Sequence, residues 1–165
     1  MSKTIDDLKS AFAGESQANR KYLAFAAKAE QDGYPQVAKL FRAVAAAETI
    51  HAHSHLRALG EIKSTGENIQ TAIDGENYEV ISMYPEFMAD AQREEMKRAL
   101  TSFTWAWEVE KLHEQLYRKA LANLDKSTGD VDYYVCPICG MTHEGPFEGK
   151  CPICNTPGDR FQRID

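Results

Sequence analysis

Along residues 1–125, apolar side chains recur three and four positions apart, the spacing of one helical face, and Gly and Pro are scarce. Start and stop signals divide this stretch into four helices. The first is expected to begin near Thr4, an N-cap with Asp7 behind it, and to stop at Gly33. The second opens at Tyr34-Pro35, where a proline in the first turn loses no hydrogen bond, and ends at Gly60. The third covers about 67–92, with Pro85 predicted to kink it, and the fourth about 96–125. A polar linker, KSTGDVD (126–132), follows. Beyond it, Tyr, Val and Phe scattered between turn signals predict short strands.

An internal repeat supplies what the stop signals leave vague. Phe41–His51, FRAVAAAETIH, superimposes on Phe103–His113, FTWAWEVEKLH, at an offset of 62 residues. Gly14-Glu15 matches Gly75-Glu76 at an offset of 61. The helical part therefore reads as two copies of a helix pair, a four-helix bundle made by duplication. The turn at Gly33 in the first copy predicts a break near Glu94–Glu95 in the second, where no glycine marks it.

The apolar stripes carry acids. Glu15 lies in register with Leu8, Phe12 and Tyr22; Glu48 with Phe41 and Val44; Glu76, with Glu79 beside Val80, with Ile69 and Ile73; Glu110 with Phe103 and Ala106. Carboxylates are rarely buried unpaired, because taking the ion out of water costs several kcal/mol even after relaxation. The same intrusion on four helices at corresponding positions needs a common cause, and metal coordination supplies one. Glu48-x-x-His51 and Glu110-x-x-His113 each put a carboxylate and an imidazole on one face, one turn apart. Two such motifs plus glutamates from the other two helices form the di-iron or di-manganese carboxylate pattern of helical bundles. Five carboxylates against two divalent ions leave a core charge of about −1, tolerable where bare carboxylates are not. The alternative, core glutamates held by salt bridges without metal, does not account for matched spacing on four helices.

The segment ETIHAHSH (48–55) offers three histidines. At about 100° per residue, His51 and His55 lie near the face of Glu48 and His53 points away. The repeat separates the first two: His51 matches His113, whereas His55 matches Tyr117. His51 is the candidate ligand, His55 a supporting or core residue, and His53 solvent-facing. Glu108 and Glu114 read as exposed or supporting charges.

The tail carries a separate signal. CPICG (136–140) and CPICN (151–155) form C-x2-C-x11-C-x2-C, so Cys136, Cys139, Cys151 and Cys154 present four thiolates from two knuckles. Tetrahedral sulfur binds iron or zinc. Gly140 follows the first knuckle, where a left-handed backbone is often required, and Asn155 stands in the same place after the second. His143 lies outside this pattern and reads as a loop residue.

Composition narrows the setting. Hydrophobic residues make up 43% of the 165, enough for a core, and the net charge of −6 disfavours nucleic-acid and membrane-surface partners. The longest apolar run, Tyr22–Ala27, is too short to span a bilayer, and Met1–Asp7 has no signal-peptide character. All four cysteines lie in the tail, which fits metal binding in a reducing cytoplasm.

With AGESQANRKY, ETIH, GENYEVISMYPEF, EKLH and the two CPIC knuckles in this order, nearly the whole chain resembles the rubrerythrin family. The resemblance implies an all-α, ferritin-like four-helix bundle over 1–127 and a small rubredoxin-like domain over 131–165. It implies two non-haem irons, oxo-bridged when oxidised, and one iron on the four cysteines. By resemblance Glu48, Glu76, Glu110 and His113 hold one iron of the pair. Glu15, Glu48, Glu110 and either Glu79 or His51 hold the other, the carboxylate when ferric and the imidazole when ferrous. Tyr22 and Tyr84 match family tyrosines that hydrogen-bond ligand carboxylates, so Glu79, His51, Tyr22 and Tyr84 are the expected catalytic residues. The implied activity is reduction of hydrogen peroxide to water, with electrons relayed through the rubredoxin-like iron. The donor is an external rubredoxin or an NAD(P)H-dependent reductase, since the chain has no Gly-x-Gly-x-x-Gly turn of its own. The family forms homodimers, and the short Gly60–Gly66 connection is compatible with exchange of helix pairs between subunits. Two other readings use the same residues: an iron-storage ferroxidase, which needs a large closed shell, and a zinc-ribbon interaction module, which would be colourless.

Overall fold

The computed structural model describes residues 2–126 and 129–164; Met1, the linker residues Ser127 and Thr128, and Asp165 lie outside the described residues. The chain forms two compact units, Met1–Lys63 and Ser64–Asp165. The architecture is four long helical elements followed by a small three-stranded domain that bears the cysteines.

The first unit is a hairpin of α1 (Lys3–Gln31) and α2 (Pro35–Leu59). The predicted cap at Thr4 gives way to Ser2, whose side chain makes no capping bond, so the helix starts two residues early. Among the described residues, the buried positions of this unit are all alanines: Ala26, Ala29, Ala38, Ala45 and Ala52. Side chains that small let two helix backbones approach closely. In consequence, the larger residues on the apolar stripe are less deeply buried, and Phe41 and Val44 are half-buried. An alanine seam, together with ring contacts of Tyr22 and Phe25 on Phe41, closes this hairpin.

The second unit begins with α3 (Thr65–Tyr78), two residues before the expected start. The reason is a capping box. The Ser64 hydroxyl accepts from the Glu67 N–H, and the Glu67 carboxylate accepts from the Ser64 N–H at 3.2 Å. The kink foreseen at Pro85 takes a different form. A π-helical turn, Glu79–Met83, leads into α4 (Tyr84–Arg93), so Pro85 falls in the first turn of α4, directly after the wider turn. Helix α5 (Lys97–Ala122) packs against α3 and α4, and ends three residues short of the expected boundary.

The two helix turns show the duplication in their backbones. At Gly33 (φ 81°) the Tyr34 N–H bonds the Ala29 carbonyl at 2.8 Å; at Glu95 (φ 56°) the Met96 N–H bonds the Ala91 carbonyl at 2.8 Å. Both are Schellman stops, with the left-handed residue 62 positions apart. The predicted break without a glycine is therefore real, and Glu95 bears the Cβ strain. Left-handed geometry costs an L-residue about 1–2 kcal/mol, against about 0.5–1 kcal/mol of extra chain entropy for glycine. Glu95→Gly should therefore raise stability by about 0.5–1 kcal/mol. The check is the urea midpoint at constant m; a lowered midpoint would refute the strain.

The small domain is an antiparallel sheet of order β2-β1-β3, from β1 (Tyr133–Val135), β2 (Thr142–Glu144) and β3 (Gln162–Ile164). Tyr134 pairs with His143 on one side and with Arg163 on the other. His143 is thus a strand residue rather than a loop one: its Nδ1 lies 3.0 Å from the Gly145 carbonyl and its ring meets Phe147 edge-on. Gly140 (φ 85°) and Asn155 (φ 62°) adopt the left-handed backbone expected after each knuckle. The domain's core continues into α5, since Val109 packs with Cys136, Met141, Cys151 and Phe161.

Candidate metal centres

Each unit gathers one Glu-x-x-His motif with a glutamate from a neighbouring helix. In the first, His51 Nδ1 lies 2.9 Å from Glu48 Oε2 and 3.8 Å from Glu15 Oε1. In the second, His113 Nδ1 lies 2.7 Å from Glu110 Oε2 and 3.9 Å from Glu76 Oε1. The two sets match pair for pair under the repeat, and in each set one donor atom per residue falls within 4.8 Å of the others. The Glu48 and Glu110 side chains are only 14% and 16% exposed, and each has its own histidine as a close polar partner.

Electrostatics in the second unit agree. Burial, then the charge of Glu110, pushes the Glu76 carboxyl up to about 7, with His113 pulling the other way. Glu79 is raised by burial and by Glu110, and Tyr84 by burial and then by Glu79, Glu110 and Glu76. Glu79 and Tyr84 therefore stand in the field of the same cluster, although Glu79 is not among its close-packed donors. Tyr22 and Tyr84 each anchor an aromatic triad, Tyr22–Phe25–Phe41 and Tyr84–Phe87–Phe103, with ring separations of 5.6–6.4 Å. The lesser charges behave as expected: Glu108 pairs with Lys111 at 2.9 Å, and Glu114 pairs with Arg118 and Asn77. His53 is exposed, and His55 is half-buried.

The tautomer of His113 follows from its neighbours. Its Nε2 lies 3.0 Å from Thr142 Oγ1, and that hydroxyl donates its one proton to the Gly140 carbonyl at 3.2 Å. Thr142 must therefore accept from His113, which places a proton on Nε2 and turns Nδ1 toward Glu110 and Glu76. In the metal-free protein the hydrogen bond to Glu110, working against burial, raises the His113 pKa and so favours a proton on Nδ1. A metal ion would take that proton's place. Sequence reasoning missed Thr142 altogether, and nothing in its local pattern marks it.

The four cysteines carry free thiols, with Cys136 Sγ 3.5 Å from Cys154 Sγ and Cys139 Sγ 3.6 Å from Cys151 Sγ. A tetrahedron with metal–sulfur bonds of about 2.3 Å has edges of about 3.8 Å, so the cradle needs little adjustment to hold an ion. Burial raises the Cys139 and Cys151 thiols. Burial also pushes Cys154 upward, but hydrogen bonds from the Thr156 side chain and backbone outweigh it and hold that thiol at about 6. One thiolate is thus available at neutral pH to begin coordination.

These features define a class: a carboxylate and histidine di-metal protein of the ferritin-like kind, joined to a rubredoxin-like four-thiolate centre. The rubrerythrin family model matches residues 6–121. The chain is 38% identical to rubrerythrin-2 of Clostridium acetobutylicum, with 96% of this chain and 95% of that protein covered. It is also 38% identical to nigerythrin of Nitratidesulfovibrio vulgaris, over 96% and 85% respectively. A solved structure described as the fully reduced, all-ferrous state of nigerythrin aligns with a TM-score of 0.60 and 37% identity, covering 99% of this chain and 88% of that one. The chain belongs to the rubrerythrin family. It is accordingly an iron-binding oxidoreductase whose cofactors are a non-haem iron pair and one rubredoxin-like iron. No helix among the described residues is long and apolar enough to cross a membrane.

Proposed function

We propose that this protein reduces hydrogen peroxide to two waters at its iron pair, drawing electrons through the four-cysteine iron from a separate rubredoxin or NAD(P)H-dependent reductase. In the proposed division, residues 1–127 carry the pair, and 131–165 carry the relay. The proposed ligands are Glu48, Glu76, Glu110 and His113 for one iron, and Glu15, Glu48, Glu110 and Glu79 or His51 for the other, the assignment that the family resemblance implies. An iron pair held by these residues would supply the two electrons that cleave the O–O bond. The chain's own groups handle the two protons that each peroxide consumes. Tyr84, its phenol raised by burial and three carboxylates, stays protonated and can donate a proton to the substrate; Tyr22 holds the matching place in the first unit.

The observation that carries this reading is the link between the knuckle and the cluster. Cys139 is followed by Gly140, whose carbonyl takes the Thr142 hydroxyl, which takes the Nε2 proton of His113. A short bonded path thus joins the sulfur cradle to a proposed ligand inside one chain. It supports a four-cysteine centre that serves the cluster on its own α5 rather than a neighbour's.

Several large apolar side chains are exposed, Leu40, Ile50 and Ile81 each by more than 60%, which supports a homodimer in which they are covered. The short Gly60–Gly66 connection favours exchange of helix pairs in that dimer, and four free thiols suit the cytoplasm. The test of the activity is anaerobic stopped flow. Protein reduced at all three irons should consume one peroxide per pair, releasing no oxygen, and the red ferric–thiolate colour should appear only afterwards. Oxygen release, or colour appearing before peroxide is consumed, would overturn the proposal.

A further inference from the structure

The repeat offset is 61 at Glu15 and Glu76 but 62 at Tyr22 and Tyr84, so the second copy has gained one residue between these points. The π-helical turn Glu79–Met83 is where it sits. After it the aromatic triads return to register, since Tyr22, Phe25 and Phe41 correspond to Tyr84, Phe87 and Phe103 at one common offset. Glu79 opens this wider turn. Its counterparts in the first copy, Gln17 or Ala18 according to the offset used, cannot bind a cation as a carboxylate does.

A π turn beside a proline creates a specific vacancy. The Tyr84 N–H reaches back five residues to the Glu79 carbonyl, so it does not serve Val80 in the usual helical register. The next donor in the wider register is residue 85, a proline, which has no N–H. The Val80 carbonyl is left without a helical partner. Trp107 on α5 supplies one: its Nε1–H donates to Val80 O at 2.9 Å across 27 residues of sequence. The indole plane is itself held, with Lys111 Nζ 3.3 Å from the ring centroid and paired to Glu108 at 2.9 Å. The first copy closes the same level with donor and acceptor reversed. There Asn19 on α1, the counterpart of Val80 at the offset of 61, donates to the carbonyl of Ala45, the counterpart of Trp107 at the offset of 62, at 2.7 Å.

We propose that Trp107 is a positioning residue: its indole N–H caps the orphaned Val80 carbonyl and so fixes the π turn that aims Glu79 at the metal cluster. This rests on the di-iron reading for its consequence but not for its geometry, so the two are tested apart. In metal-free protein, the Trp107 indole proton should exchange as slowly as neighbouring helix amides. Trp107→Phe keeps the ring and removes the donor, and should speed exchange of the Tyr84 amide about tenfold, the loss that one ordinary hydrogen bond gives. Pro85→Ala restores a backbone N–H to the same carbonyl, so the double variant should return to the wild-type rate. In the iron-loaded protein, Trp107→Phe should make the pair easier to reduce, because the ferric state loses a carboxylate donor. The potential of the four-cysteine iron should not move. Fast indole exchange in the wild type, or a double variant no slower than Trp107→Phe, would overturn the lock. A lock that holds while the potential of the pair stays unchanged would overturn the role of Glu79's placement. A wild-type chain that binds no iron pair at all would instead count against the di-iron reading and leave the exchange results to judge the lock.

Discussion

Cys136→Ser will leave a single turnover intact and abolish steady turnover. With the iron pair reduced beforehand, one peroxide should be consumed at a rate within about twofold of wild type, since the bundle donors are untouched. With a reductase as the only electron source, turnover should fall about a hundredfold or more, because losing a direct ligand exceeds the 10–100-fold typical of outer-shell changes. Cys136 is 1% exposed and packs on Val109, and its sulfur completes the cradle 3.5 Å from Cys154. The variant should also lose the red colour of ferric iron on four thiolates. Equal steady rates in the two proteins would show that electrons enter the pair by another route.

Stripping metal from the carboxylate clusters should both weaken the fold and invert its response to pH. The folded-state pKa of Glu76 is raised from 4.5 to about 7 by burial and then by Glu110. Between these values the folded chain binds more protons than the unfolded one, so stability falls as pH rises. Glu79, also raised, acts in the same direction. His113, raised above 6.5, contributes stability that is fully present below that value and lost as pH climbs through its folded pKa. Metal-free protein should therefore be more stable at pH 5.5 than at 7.5, by on the order of 1 kcal/mol once solvent screening is allowed for. Ferrous iron at a thousandfold over its Kd should add about 4 kcal/mol per ion. Because the ion displaces those protons, the gain should be larger at pH 7.5 than at 5.5. Anaerobic melting at the two pH values, with and without iron, measures both effects. A metal-free protein that gains stability toward pH 7.5 would show that the glutamates are not crowded against one another.

The balance between chain and fold can be drawn residue by residue. Periodicity placed Glu15, Glu48, Glu76 and Glu110 on apolar stripes, because a carboxylate in that position is conspicuous against a helical period. The duplication carried the pairing of each Glu-x-x-His motif with a glutamate of a neighbouring helix, and the spacing of the knuckles fixed the sulfur site, because each is local or repeats at a constant interval. Even the π turn left a trace, as the change of offset from 61 to 62, although offset alone does not say which backbone register absorbs the extra residue. Tertiary structure decided the rest. That Val80 lacks a donor is a matter of backbone register, and that Trp107 supplies one depends on two helices meeting at a given height. Thr142 sets the His113 tautomer only because the small domain lies against α5. The alanine seam of α1 and α2, likewise, left Phe41 and Val44 only half-buried where periodicity alone had assigned them to a core. Side-chain pattern along a chain reports which face is apolar; it does not report what stands opposite, and hydrogen bonds between distant segments depend on that.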